Sequence, residues 1–463
     1  MIGKSLFIRV FHPIIGRMFF QVAQKHCHLA GVAGVGMSAM AELLMDLGAE
    51  VSGSDRFHDQ GQEVPVLRRL TAQGMKLVPQ DGSGIRRDTA ALICSTAIEG
   101  DNPELAAAKK LNIPVITRGD MLGRLAEGQR CVAVGGTSGK TTVTGMTGWL
   151  LTELGGDPTV ANGGAVIGWD SETRVGSIRA GKSDLWVAEA DESDRSCLFL
   201  HPEWSIITNI SHDHFPLPET IELFRQFAAQ TARQVVCFPE IAKHFPNSRA
   251  IENTVFRKGE RWVFNLENLE FASPLPGRHN AENALLACAL CVAMEYDAKA
   301  VRKALASFKG IRRRLELAGE ARGIRVYDDY AHNPAKIAAA WATVAENSSR
   351  VLGVWRPHGF GPMRQMKDSL IEMFCATLRK DDELFLLPVY YAGGTAAKDI
   401  SSDDLAAALQ ARGVKASAVR NYDDLTKQIL ETVTARDAVL VMGARDPELP
   451  VFARQTAKRI HDQ

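Results

Sequence analysis

The sequence predicts an α/β protein of three domains with mainly parallel sheets. Three observations carry the prediction. The chain has 463 residues, and at roughly 100–200 residues per domain that length favours three. Strands and helices alternate from residue 26 onward, the order that builds parallel sheets. Two glycine-rich loops, at 31–36 and 135–142, each stand between a predicted strand and a predicted helix, where parallel sheets carry their ligands.

The first domain is expected over 26–125. His28-Leu29-Ala30 forms a strand that runs into Gly31-Val32-Ala33-Gly34-Val35-Gly36, a helix follows over 37–47, and Gly48 stops it. The next strand ends in Ser54-Asp55, and strands at 90–94 and 114–117 flank a helix at 103–111. The second domain, 126–312, opens with the strand Cys131-Val132-Ala133-Val134, the second glycine loop and a helix reaching 154. Its further strands fall at 185–189 and 205–209. After Arg312-Arg313-Arg314 the third domain, 313–463, alternates strand 324–327, helix 335–344, strand 351–355, helix 367–378 and strand 383–387, and closes with strand 438–442.

Composition narrows the function. Hydrophobic residues make up 46% and charged residues 23%, as in ordinary globular proteins. The 54 basic and 54 acidic side chains cancel, which excludes a polycationic coat for nucleic acid, and no nucleic-acid partner is expected. Small anionic ligands stay open, because their site needs only a few local cations and backbone N–H groups. The 8 cysteines are too sparse for a disulfide scaffold and fit a reducing cytoplasm. Cys288 and Cys291 lie in an apolar run and read as buried helix residues rather than a metal site. No run of about 18 apolar residues exists, so no transmembrane segment is expected. Residues 1–25 read as an N-terminal extension whose apolar face Arg9, Pro13 and Arg17 interrupt too often for a signal peptide.

The loop around Lys140 carries most of the chemistry. Gly136 and Gly139 let backbone N–H groups approach phosphate oxygens, Lys140 supplies a point charge, and Thr141 offers a hydroxyl to Mg²⁺. The generic pattern wants a glycine six residues before the lysine, where this chain has Val134, so the match is partial. Glu189-Ala190-Asp191-Glu192-Ser193-Asp194 follows a strand, where carboxylates beside a phosphate loop hold Mg²⁺; a solvated acidic loop is the plainer alternative. His212, Asp213 and His214 follow another strand and suggest a ligand site. The first glycine loop is not spaced as a dinucleotide fingerprint, although Asp55 stands about where a ribose-binding acid would; a phosphate-bearing ligand is expected and NAD is not specified. Gly277-Arg278-His279-Asn280 opens an apolar helix, with Asn280 either its cap or a ligand group. Tyr327-Asp328-Asp329-Tyr330-Ala331-His332-Asn333-Pro334 ends a strand and leads into a helix, a usual place for a ligand loop.

Taken in order, these motifs resemble the Mur ligase family of ATP-dependent amide-forming enzymes, from about residue 26 to 463. Gly-Thr-x-Gly-Lys-Thr-Thr at 136–142 is similar to that family's own phosphate loop, which lacks the earlier glycine. The segment 30–38, Asn162-Gly163-Gly164, the acidic run from Glu189 and Thr208-Asn209-Ile210 are most similar to the branch that joins L-alanine to UDP-N-acetylmuramate. The resemblance implies an N-terminal Rossmann-like domain for the UDP-sugar, a central P-loop ATPase domain and a C-terminal Rossmann-like domain that closes over the site. It implies ATP and Mg²⁺ as cofactors, small-molecule substrates, and a cytoplasmic monomer or weak homodimer. Gly136, Thr137, Gly139, Lys140, Thr141 and Thr142 would hold ATP, with His279 and Asn280 by the base and Arg313, Asp328 and Asp329 reaching it from the closing domain. Thr141, Glu189 and His214 would ligate Mg²⁺, and Lys140, Glu189 and His214 form the implied catalytic set. Gly34, Gly36, Ser54, Asp55, Asn162, Ser193, His332 and His358 would hold the substrates.

The chain departs from that family in two places. His332-Asn333 stands where it has two histidines, and Pro357-His358-Gly359-Phe360 stands where it has Pro-His-Arg-Tyr. That arginine helps hold the incoming amino acid, and Arg364 is the replacement at hand. Arg313-Arg314-Leu315-Glu316-Leu317 with Gly319-Glu320 also resembles the recycling branch that attaches a whole tripeptide. A non-catalytic homologue fits the Gly359 change, whereas an NAD-dependent oxidoreductase built on the first glycine loop leaves Lys140 without a role.

Overall fold

The computed structural model describes residues 22–95, 98–212, 214–391 and 397–462. Apart from 22–25, the expected N-terminal extension lies outside the described residues, as does Asp213 of the histidine loop. Three large sheets account for most of the chain.

The first contains β1 (His26–Ala30), β2 (Glu50–Ser54), β3 (Lys76–Leu77), β4 (Thr89–Cys94) and β5 (Val115–Thr117), all parallel, in the order β3-β2-β1-β4-β5. This is the doubly wound order, whose direction of winding reverses beside β1 and leaves a crevice at that strand's C-terminal end. The loop Gly31–Gly34 enters there and turns into the helix Val35–Asp46, which buries Met37, Met40, Leu43 and Leu44 against the sheet. β1 is buried along its whole length although it carries two histidines. Each is satisfied: His26 bonds Thr89 Oγ1 at 2.8 Å and Ser52 Oγ at 2.7 Å, while His28 bonds Ser52 Oγ at 2.6 Å and Glu104 Oε1 at 2.7 Å. Burial first, then the cation of Arg86, lowers His26 to about 4, so its ring is a neutral structural group.

The second sheet contains β6 (Arg130–Gly135), β7 (Thr159–Ala161), β8 (Ile178–Arg179), β9 (Leu185–Glu189), β10 (Trp204–Ile207), β11 (Gln234–Cys237) and β12 (Ser248–Ala250). Its order is β12-β11-β10-β6-β9-β7-β8, and β8 is its antiparallel edge. β6 is flanked on both sides and reads as a continuous apolar run, as a strand buried on both faces should. Val134, where the generic loop pattern has glycine, is still inside this strand and fully buried. A small antiparallel meander, β13 (Phe256–Lys258), β14 (Arg261–Leu266) and β15 (Leu269–Ala272), precedes the apolar helix Arg278–Ala293. Cys288 and Cys291 are buried in that helix, and burial pushes the Cys291 thiol up to about 12.

The third sheet contains β16 (Glu316–Ala321), β17 (Ile324–Asp329), β18 (Val351–Trp355), β19 (Glu383–Leu386), β20 (Ala416–Ala418) and β21 (Ala438–Met442), in the order β16-β17-β21-β18-β19-β20 with only β16 antiparallel. One helix differs from expectation: it spans Phe360–Thr377, not 367–378. Gly361 and Pro362 fall in its first turn, where the missing N–H of proline has no intrahelical partner to lose.

The cores are joined unequally. One apolar cluster runs from Leu29 of the first sheet and Leu43 of the helix packed on it, through Leu125 and Cys197, to Phe224 and Phe227 under the second. The helix Arg118–Ala126 makes this join, and its glycines allow it. A Cβ at Gly119 would stand 2.3 Å from Ser196 Cβ, and one at Gly123 would stand 2.4 Å from the Phe199 carbonyl oxygen. The third sheet keeps its own clusters, one on each face.

Candidate active site

The phosphate loop follows β6, the strand at the centre of the second sheet. Gly136 has φ +129°, and a Cβ there would meet Thr208 Oγ1 at 2.0 Å, so only glycine fits against β10. Asn209, just past β10, braces the loop from the other side: its Oδ1 accepts from Thr137 Oγ1 at 2.7 Å and from the Ser138 N–H at 3.1 Å, and its Nδ2 donates to the Ser138 carbonyl at 3.0 Å. The helix Lys140–Glu153 then begins, directing its N-terminus into the cleft.

Two clefts open from this loop. The first, about 500 Å³, lies between the second and third sheets and is lined by Thr137, Gly139, Lys140, Thr141, Thr142, Glu189, His214, His279, Asn280 and Asp329 among the residues expected at ATP and Mg²⁺, together with Ser193, which was expected at the substrate. The second, about 310 Å³, lies between the first and second sheets and is lined by Gly36, Arg118, Asn162 and Gly163 with Thr141 and Glu189. The two share Thr141, Glu189, Asp191 and Arg314. A ligand in either cleft therefore presents one end to the same four side chains.

The electrostatics at this junction are tight. Lys140 Nζ donates to the Gly136 carbonyl at 2.9 Å and to Glu192 Oε2 at 2.6 Å, and Glu192 is buried. Glu189 accepts from Thr141 Oγ1 at 3.0 Å and from the Gly163 N–H at 2.7 Å. Burial raises the Glu189 carboxyl, and Lys140 opposes that rise. The neighbouring hydroxyl and carboxylate oxygens of Thr141 and Glu189 are the hard donors that suit Mg²⁺, and a cation there would offset the charge that burial disfavours. Among the described residues no group of three His, Cys, Asp or Glu closes on one point, so remaining ligands would come from substrate phosphate and water.

Gly34, Ser54, Asp55, His332 and His358, expected to hold the substrates, line neither cleft. Gly34, Ser54 and Asp55 sit at the crevice over the first sheet. Asp55 Oδ2 accepts from the Ala33 N–H at 2.9 Å and Oδ1 from the Phe57 N–H at 3.0 Å, so it shapes the glycine loop. Asn280 is not the helix cap, since Gly277 holds that position; its Nδ2 donates to the Pro276 carbonyl at 2.7 Å from inside the first turn. His279 points into the cleft, and surrounding protein lowers its pKa. His332 and His358 face each other outside both clefts, with ring centroids 5.4 Å apart.

Two residues expected at the nucleotide stand elsewhere. Arg313, with φ +61°, turns back into the third domain, where it donates to the Gly443 carbonyl at 2.5 Å and lies 3.4 Å from Asp328. Asp328 is buried behind the cleft, and burial lifts it to about 7 against the pull of Arg313. The next residues along, Arg314 and Asp329, are the pair that reach the cleft. Asn209, Asn283, Asp191, Arg118 and Arg314 also line the clefts without an individual role expected from sequence; Asn209, Asp191 and Arg314 lie inside motifs that the sequence displays.

Family sequence profiles match this chain in three consecutive pieces: the Mur ligase family catalytic domain over residues 26–130, the Mur ligase middle domain over 134–224, and the Mur ligase glutamate ligase domain over 313–445. It is 34% identical over 453 residues to the UDP-N-acetylmuramate–L-alanine ligase of Methylorubrum extorquens, covering 90% of this chain and 94% of that protein. Identity to the Myxococcus xanthus enzyme of the same name is 35% over 463 residues, covering 93% and 95%. The crystal structure of UDP-N-acetylmuramate-alanine ligase MurC from Thermotoga maritima superposes with a TM-score of 0.76 at 27% identity, covering 94% of this chain and 99% of that one. A murein peptide ligase from Psychrobacter arcticus shares the fold, with a TM-score of 0.65 at 18% identity over 95% of this chain and 99% of that one. Three ordered domains around one phosphate loop, and relatives at this identity along nearly the whole sequence, place the chain in the Mur ligase family of ATP-dependent amide ligases.

Proposed function

We propose that this enzyme joins L-alanine to the lactyl carboxylate of UDP-N-acetylmuramate, coupled to cleavage of ATP, in the cytoplasm as a step in building the peptidoglycan precursor. The observation that carries the reading is the meeting of two clefts at Thr141, Glu189, Asp191 and Arg314. ATP in the first cleft and the sugar acid in the second bring a γ-phosphate and a carboxylate to one point. The names of the full-length relatives supply the substrates.

A carboxylate is a poor acyl donor. Its oxygen attacks the γ-phosphorus of ATP, forming an acyl phosphate and releasing ADP. The amine of the amino acid then attacks the acyl carbon, the tetrahedral adduct collapses with loss of phosphate, and the nitrogen gives up a proton. This chain supplies charge and position rather than covalent help. The phosphate-loop N–H groups and Lys140 hold the β/γ-phosphates, with Arg314 facing the transferred group from the third domain. Thr141 and Glu189, with His214 on the same cleft, would hold Mg²⁺, which when bound neutralises charge on the phosphates. Asn209 keeps the loop in shape, and the third domain excludes water from the acyl phosphate.

Phosphate release measured with ATP, Mg²⁺ and UDP-N-acetylmuramate against a panel of amino acids and peptides tests this. Turnover with free L-alanine is the expected result. Turnover only with a tripeptide would transfer the chain to the recycling branch, and no release with any acceptor would defeat the ligase reading.

A further inference from the structure

The third sheet carries a cluster that neither cleft uses. β17, β21 and β18 lie side by side and parallel, and just beyond their C-terminal ends stand His332, Arg445 and His358. Ligands of open parallel sheets bind at this edge. His332 also lies between Ala331 and Asn333, both of which line the first cleft, so the cluster borders that cleft.

Arg445 differs from four other arginines of the third domain. Arg313, Arg350 and Arg356 are held by Asp328, Asp437 and Asp446, and Arg364 by Asp399. Among the described residues no carboxylate pairs with Arg445, which is exposed. Its charge reaches His358, which burial first, then His332 and Arg445, lower to about 4. Arg445 and His358 each stand three residues past the end of two directly paired strands, so the cation and the imidazole occupy the same edge of the sheet.

The backbone of Arg445 is also unusual. Its φ is +64°, in the left-handed region that side chains with a Cβ avoid. The surroundings fix that turn. The Gly443 carbonyl accepts from Arg313, while the buried Asp446 accepts from Arg356, from Tyr422 Oη at 2.5 Å and from the Glu448 N–H at 2.9 Å. Backbone held in this way against its preference gathers at ligand sites. Arg364, the replacement suggested by sequence, is occupied by Asp399 and by the Ala397 carbonyl at 3.1 Å.

We propose that Arg445 binds the α-carboxylate of the incoming amino acid and so determines acceptor specificity, leaving the amine beside His332 and His358 and directed at the nucleotide cleft. This rests on the ligase reading above and adds to it the residue that recognises the acceptor.

The test uses full-length protein with Arg445→Gly, which suits the left-handed backbone, and Arg445→Lys, which keeps the charge. Phosphate release gives KM separately for L-alanine, ATP and UDP-N-acetylmuramate. The glycine variant is expected to raise KM for L-alanine about 10–100-fold, the factor for losing a charge-assisted hydrogen bond, and the lysine variant to recover part of it. The KM values for ATP and the UDP-sugar are expected to stay put. An unchanged KM for L-alanine in the glycine variant, or a parallel rise in all three KM values, overturns the assignment. If no amino acid or peptide acceptor supports phosphate release by the wild-type protein, the ligase reading itself fails and takes this one with it.

Discussion

Lys140 is expected to serve the fold as well as the phosphates, and the two roles separate in a double variant. Its ammonium lies 2.6 Å from Glu192 Oε2, and the Glu192 side chain is 1% exposed with its other oxygen unpartnered. Lys140→Ala therefore strands a buried carboxylate, a loss of about 3–5 kcal/mol. At about 2 °C per kcal/mol, the low end that suits a large cooperative unit, the body formed by the first two domains should melt roughly 6–10 °C lower. Adding Glu192→Gln removes the stranded charge and should recover more than half of that loss. Activity should not recover, because the phosphates still lack their cation; phosphate release should stay about 100–1000-fold down in both variants. Thermal unfolding followed by circular dichroism, alongside phosphate release, reads both quantities. A Lys140→Ala protein that melts with wild type, or a double variant that melts no higher than the single one, would show that Lys140 does not hold the Glu192 carboxylate in the fold.

Further outcomes follow from neighbouring features. Arg314→Ala should cut kcat by about 100-fold with little change in Tm, whereas Arg313→Ala should lower Tm and spare most of kcat; the reverse pattern in paired kinetics and melts would contradict the placement of the two side chains. Asp328 has its pKa raised from 3.8 to about 7 by burial, so its contribution to stability is full below 3.8 and is lost as pH rises through about 7. Asp328→Asn should accordingly gain Tm over wild type across that window, and a gap that shrinks with rising pH would reverse the sign. Gly123→Ala drives a methyl into the Phe199 carbonyl and should lower Tm by an overpacking loss of about 1–3 kcal/mol, which calorimetry can check.

What could be read from the chain and what could not divide along physical lines. The phosphate loop, the glycine turn after β1 and the helix Pro103–Leu111 are set by local backbone chemistry, and sequence displays that chemistry directly. The choice between Arg313 and Arg314 depends on left-handed φ values at Arg313 and Leu315, which reverse the side-chain directions that simple alternation suggests. β3 is two residues long and owes its place to pairing with β2, so no periodicity announces it. Asn209 belongs to the Thr208-Asn209-Ile210 motif, but its bracing bonds to Thr137 and Ser138 cross 71 or more positions, which no local pattern displays. The clefts themselves exist only between sheets. Their shared residues come from positions as far apart as Thr141 and Arg314.

The glycine-seated helix Arg118–Ala126 has a consequence for how this protein can be taken apart. Because its packing makes one apolar body of the first two sheets, a fragment cut near residue 126 would bare Leu122, Leu125 and the Cys197–Leu200 seat to water. The third sheet has no such debt, since its clusters are complete on both faces. Expression of residues 313–463 alone should give a folded unit, while the remainder behaves as one indivisible piece. Swapping acceptor preference between relatives is thus a matter of exchanging the C-terminal unit whole, with the seam in the arginine run and the rest of the chain left intact.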